Sequence, residues 1–161
     1  MRGISHFSAT LALLAVPAVC GAQSASKSAA DVDPCALVTK QEAAAAVGEA
    51  VADGKSTIVD TKSSPAMQGG GSCVFDSPST AHYLKVNMYR YTPQIAAAYR
   101  SRCAKKETVP GISDVACWYD SKHTELQLIK GVTSLALQLS RRGDPAEALK
   151  TVAKAAASRL P

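Results

Sequence analysis

The chain has 161 residues, of which 47% are apolar and 19% charged, so it can bury one ordinary core and is not a wholly disordered polymer. Its 18 basic side chains outnumber 13 acidic ones for a net charge of +5, yet they form no dense run with interleaved aromatics, which argues against a nucleic-acid partner. So mild an excess serves solubility first, with weak attraction to anionic envelope polymers or lipid headgroups as its functional counterpart.

The chain opens like an export leader. Arg2 supplies a positive start, residues 7–19 form an apolar run broken by Pro17, and Cys20-Gly21-Ala22 places small side chains where a signal peptidase reads. Residues 1–22 are therefore expected to be a signal peptide cleaved after Ala22, releasing a soluble, exported protein with no transmembrane segment. A lipid anchor on Cys20 is the rival reading, but Pro17 and Val19 match a lipobox poorly. Residues 23–32 are rich in Ser, Ala and Lys without periodicity and read as a flexible tether; residues 33–161 read as one domain.

Order is expected to begin at Asp33-Pro34-Cys35. Thr39 and Glu42 have the spacing of a capping box, and the Ala-rich helix they open ends at Gly48. A short strand follows between Lys55 and Lys62. The segment from Ser63 to Gly71, with Pro65 and the Gly69-Gly70-Gly71 run, reads as a mobile surface loop. It lacks the following helix that a phosphate-cradling loop requires.

From Cys73 to Asp76 the chain reads as a strand, turned by Ser77-Pro78-Ser79. Tyr83–Tyr91 alternates, with Leu84, Val86 and Met88 on one side and Tyr83, Lys85, Asn87, Tyr89 and Tyr91 on the other, as a half-buried antiparallel strand does. Thr92-Pro93 starts a second helix carrying Ile95, Ala98 and Tyr99. It ends among Arg100, Arg102, Lys105 and Lys106, where cations complement the helix dipole.

Val109-Pro110-Gly111 breaks the chain before a strand from Val115 to Tyr119. Two more strands around Gly131 form a hairpin, with Leu135, Leu137 and Leu139 sharing one face. Asp144-Pro145-Ala146-Glu147 opens the last helix, with Asp144 as cap, and Leu149, Val152, Ala153, Ala156 and Leu160 make its apolar stripe.

One pentapeptide pattern occurs twice, as Cys73-Val74-Phe75-Asp76-Ser77 and Cys117-Trp118-Tyr119-Asp120-Ser121. Each copy leads through a link bearing one histidine into an extended segment, and each is later followed by a helix that begins at a proline. This suggests two related units, each anchored by a cysteine strand with its aromatic in the core, the second carrying an extra strand. Setting Cys20 aside leaves Cys35, Cys73, Cys103 and Cys117, an even number in an oxidising compartment. Three pairings are possible, and the repeat favours Cys35–Cys73 with Cys103–Cys117. No Cys-x-x-Cys and no zinc-like spacing occurs. The expected fold is α+β: an antiparallel or mixed sheet, helices covering one face, in the order helix, strands, helix, strands, helix.

Four segments together resemble a known group: Asp33-Pro34-Cys35-Ala36-Leu37-Val38-Thr39, Cys73-Val74-Phe75, the run from Val109-Pro110-Gly111-Ile112-Ser113-Asp114-Val115-Ala116 to Trp118, and the Ala-rich end at Arg159-Leu160-Pro161. The set is similar to a broad group of small bacterial exported proteins and lipoproteins known only as a domain of unknown function. Ile112-Ser113 stands where Leu-Gly is usual, and this chain has two further cysteines. The resemblance implies an exported α+β domain, somewhat similar to PsbP-like sandwiches, and supplies no catalytic residues.

Three functions are weighed on this basis. His82 and His123, near Asp76 and Asp120, could be imagined as a general base or a two-histidine metal site, but both lie in polar links, and no hydrolase or nucleotide-binding motif accompanies them. An envelope hydrolase is therefore the weakest reading, with no catalytic residue, metal or cofactor expected. The polar side of the tyrosine strand (Tyr83, Lys85, Asn87, Tyr89, Tyr91) is the candidate contact surface for an envelope protein or polymer. An enzyme inhibitor acting through the loop from Ser63 to Gly71 is the alternative.

Overall fold

The computed structural model describes residues 32–59 and 64–161. The expected signal peptide, Cys20 and the expected tether up to residue 31 lie outside the described residues, as do residues 60–63 of the expected loop and first strand. Val32, assigned to the tether, packs against the core.

The Asp33 carboxylate accepts from the Cys35 amide at 3.0 Å and from the Ser56 hydroxyl at 2.8 Å, starting a 3-10 helix, Pro34–Leu37. Helix α1, Lys40–Val47, follows. Its capping box is formed: the Glu42 amide donates to Thr39 Oγ1 at 3.2 Å, and the Thr39 amide donates to Glu42 Oε2 at 2.8 Å. Gly48 ends it in the left-handed conformation, φ 88°.

Strands β1 (Lys55–Ile58), β2 (Met67–Asp76) and β3 (Tyr83–Tyr91) come next. Helix α2 (Pro93–Cys103) then precedes β4 (Val115–Trp118), β5 (Glu125–Lys130), β6 (Thr133–Ser140) and helix α3 (Ala146–Arg159). The six strands form one antiparallel sheet in the order β1-β2-β3-β6-β5-β4. Two three-stranded meanders thus join through β3 and β6, and the fold is α+β.

The core lies on one face of this sheet. A single row, Cys73, Val86, Leu137, Leu126 and Trp118, crosses five strands with every member buried. Ala43, Ala46 and Val47 of α1, and Leu149, Val152, Ala153 and Ala156 of α3, cover it. Both disulfides are formed in the expected pairing, with Cα atoms 5.0 Å apart for Cys35–Cys73 and 5.5 Å for Cys103–Cys117.

Arg159 locks the two covering helices together. Its guanidinium donates to both Glu42 oxygens at 2.7 Å and to the Leu37 carbonyl at 2.8 Å. Donation from Arg159 outweighs the upward push of burial and holds the Glu42 carboxyl down at about 2, from an ordinary 4.5. Because the folded value is depressed, this stabilisation is complete above the unfolded value near 4.5 and is lost as pH falls through about 2. Replacing Glu42 with Ala also removes half of the capping box, and for a partly exposed pair the expected cost is about 1–2 kcal/mol at neutral pH. Acid titration of unfolding free energy checks this: the gap between Glu42→Ala and the parent should close as the pH is lowered toward 2.

Several expectations are corrected. Helices do not cover one face only. Cys117 is out of phase with Ala116 and Trp118, so its partner helix α2 lies on the face opposite α1 and α3, over Cys117 and Ile129. The Gly69-Gly70-Gly71 run is no loop; it forms the first half of β2, and Gly70 and Gly71 are buried. At Gly70, φ is 154° and a Cβ would sit 2.5 Å from the Met88 carbonyl oxygen, so glycine is what lets β2 close on β3. The second half carries no extra strand, since each half has three. Helix α3 starts at Ala146 with Pro145 as the cap residue, while Asp144 still accepts from the Ala146 amide at 2.9 Å.

The repeated pentapeptide is also not repeated in space. Cys73 and Phe75 of β2 face the core from inside the sheet, whereas Cys117 of the edge strand β4 faces away from it. In consequence Trp118 takes the core position and Tyr119 is 49% exposed, so the expected burial of the pattern's aromatic holds at Phe75 and fails at Tyr119.

A candidate binding face

The second face of the sheet is only partly roofed. Its central row runs Thr57, Ser72, Asn87, Ala136, Gln127 and Cys117 across all six strands. Helix α2 covers the Cys117 end. What remains open is a shallow basin of about 320 Å³ floored by Asn87, Ala136, Gln127 and Ser134. The Gln127 side chain is buried and donates to the Ser134 hydroxyl at 3.2 Å, which fixes the floor.

Tyrosines form the walls. Tyr91 of β3 stacks on Tyr99 of α2, with ring centroids 4.8 Å apart and planes 13° from parallel. Tyr89 stands beside Tyr91 at 6.2 Å and a 35° tilt. The Arg102 guanidinium lies 5.3 Å from the Tyr99 ring centroid, and Lys106 Nζ lies 4.0 Å from that of Tyr119 while donating to the Tyr119 carbonyl at 3.0 Å. Arg100 anchors α2 by donating to the Gly131 carbonyl. Burial, then the neighbouring Tyr99, raises the Tyr91 phenol well above its usual range, so it stays protonated. All five tyrosines of the chain lie on this face: Tyr83, Tyr89 and Tyr91 on β3, Tyr99 on α2 and Tyr119 just beyond β4.

The expected strand face is therefore present, and Tyr83, Lys85, Asn87, Tyr89 and Tyr91 are all half-buried rather than sealed in. Tyr83 sits apart from the basin, near Thr124, Gln138 and Ser140. Sequence reasoning missed the contributions of α2, β5 and β6, namely Tyr99, Arg102, Glu125, Gln127, Ser134 and Ala136. The available signal was the repeated tyrosine itself, with cations close behind Tyr99. Glu125 stands at the basin's edge; burial and the charge of Asp120 raise its carboxyl, with Lys106 and Lys85 opposing.

The two histidines hold turns. His82 Nδ1 lies 2.8 Å from Glu49, whose carboxylate also accepts from Thr80 and Ser79, tying the end of α1 to the β2–β3 turn. Those donations, Thr80 first and His82 next, pull the Glu49 carboxyl below its usual range. His123, at φ 55°, meets Glu107 at 3.0 Å and tilts over Trp118 at 4.6 Å. Neither imidazole ring pairs with the aspartate of its own pentapeptide, although the His123 amide donates to the Asp120 carbonyl at 3.4 Å. Asp76 pairs with Lys55 at 3.3 Å. Burial pushes the Asp120 carboxyl up, but donation from the Thr124 hydroxyl and amide and the Glu125 amide outweighs it and keeps it low, as suits a turn. Among the described residues, no group of three or more His, Cys, Asp or Glu is placed to hold a metal, and no helix is long and apolar enough to cross a membrane.

No protein-family model, curated protein or solved structure matches the chain.

Proposed function

We propose that this protein is an exported envelope protein of the domain-of-unknown-function group that its segments resemble, and that it acts by binding rather than by catalysis. One observation carries the reading: the chain's five tyrosines share one incompletely roofed sheet face with a fixed polar floor. Large amphipathic rings around a few placed polar groups are what a contact site needs. Two disulfides are compatible with export into an oxidising compartment. The inhibitor reading loses its main support, because the glycine run assigned to a reaching loop is tied into β2.

The test is a substitution that fills the basin without touching the core. Ala136 lies on the basin floor, half-buried, so Ala136→Arg should change unfolding free energy by no more than about 1 kcal/mol. It should abolish capture of the protein by envelope extract, while Thr151→Arg on the exposed side of α3 leaves capture intact. Equal capture of both variants would place the contact elsewhere.

A further inference from the structure

We infer that the basin binds an acidic glycan of the cell envelope, a short run of carboxylate-bearing sugar rings. The inference rests on the reading of this face as the contact surface and adds the chemistry of its ligand.

Charge gives the sign. Lys85 and Arg102 line the basin and Lys106 stands over Tyr119 at its rim, while Glu125 is the only carboxylate among the lining residues. The balance favours an anion, and a planar guanidinium suits a carboxylate with two parallel hydrogen bonds. The floor gives the class. A protein partner would be met by an apolar centre inside a polar rim. Here the order is reversed, with amides and a hydroxyl (Asn87, Gln127, Ser134) in the middle and rings outside. Asn87, half-buried, offers an amide donor and acceptor, and Gln127, two strands away, keeps its carbonyl oxygen and second N–H beyond its bond to Ser134, groups that pair with sugar hydroxyls. Ala136 between them lets a ring approach the sheet.

The walls supply stacking platforms. Tyr91 and Tyr99 spend one ring face on each other, whereas Tyr89 is tilted off Tyr91 and Tyr119 is 49% exposed with Lys106 against its ring. Tyr89 and Tyr119 therefore have ring surface left for the C–H face of a sugar. A volume of about 320 Å³ is at the low end for small-ligand sites, room for about two sugar rings.

The experiment is calorimetric titration of the purified, oxidised protein with tetragalacturonate and with tetramannuronate, alongside amide NMR mapping. Saturable binding is expected for at least one of them, with cellotetraose, an uncharged tetrasaccharide of the same length, about tenfold weaker or worse, and with affinity falling as ionic strength rises. Arg102→Ala and Tyr89→Ala should each weaken binding by about tenfold. Glu125→Gln should tighten it severalfold, because it removes the one carboxylate that lines the basin. Shifts should centre on Asn87, Ser134 and Ala136. The inference is overturned by absence of binding to both uronates, by equal affinity for cellotetraose, by weaker binding of Glu125→Gln, or by shifts centred elsewhere. If both uronates fail while Ala136→Arg still abolishes envelope capture, the glycan is wrong and the contact face stands. A peptide cross-linked through a photoreactive group at position 87 would overturn the glycan in the same way.

Discussion

Replacing Cys35 and Cys73 together with serine is expected to cost about 4 kcal/mol of folding free energy, because that bridge closes a separation of 38 residues. The corresponding cost for Cys103 and Cys117, 14 residues apart, is about 3 kcal/mol. Chemical denaturation of the two double variants measures both. The losses should also differ in kind. Cys35–Cys73 pins the 3-10 helix to the central core row, beneath α1 and α3, so its loss weakens the whole molecule. Cys103–Cys117 belongs to the small cluster under α2 on the far face, with Ile129, Tyr99 and Val115. Without it, α2 should loosen over an otherwise folded sheet. Tyrosine near-ultraviolet dichroism should drop as Tyr99 leaves Tyr91, while buried Trp118 keeps its blue-shifted emission. Equal effects of the two variants on Trp118 would mean that α2 is integral to the core.

Leu137→Ala is expected to cost about 4 kcal/mol, the upper part of the range for a buried leucine. Leu137 is fully buried at the centre of β6, between Val86 and Leu126, where strands on both sides and helices above limit collapse into the cavity. Its neighbour Gln138 points to the other face and is half-buried, so Gln138→Ala should cost no more than about 0.5 kcal/mol. The contrast between adjacent residues checks the assignment of faces. A small loss at Leu137 would contradict it.

That assignment was legible in β3 and β6, where Leu84, Val86 and Met88, and Leu135, Leu137 and Leu139, recur at every second position. It was not legible in β5. There Leu126-Gln127-Leu128-Ile129 is buried throughout, because α1 and α3 cover one side and α2 the other. Ile129 and Val115 are apolar residues that do not fit a one-sided sheet, and they mark where α2 lands. The glycine run misled for a related reason. Glycine is depleted in strands because it has no side chain to pack, but β2 needs its absence where Met88 and Thr57 backbones approach.

The disulfide pairing was legible from the repeated pentapeptide, although the two copies occupy unlike places in the sheet. Cysteine spacing survived where facing did not. Of the site, β3 disclosed its own five residues through period-two alternation alone. Tyr99, Arg102, Tyr119 and Gln127 join them only through the crossover of α2 and the β3–β6 pairing, which no local pattern records. The histidines were paired with the wrong carboxylates, since Glu49 and Glu107 arrive from distant segments.

The claim on which the functional reading depends is that the tyrosine-walled face is where the partner sits. Hydroxyl-radical footprinting of the protein with and without envelope extract tests it most directly, because all five tyrosines are reporters and all are on that face. Peptides carrying Tyr89 with Tyr91, Tyr99 and Tyr119 should lose labelling when extract is present, while exposed positions of α3 such as Thr151 and Lys154 stay unchanged. Undiminished labelling of those tyrosines, with protection appearing on α3 or at the exposed edge strand β1, would contradict the account.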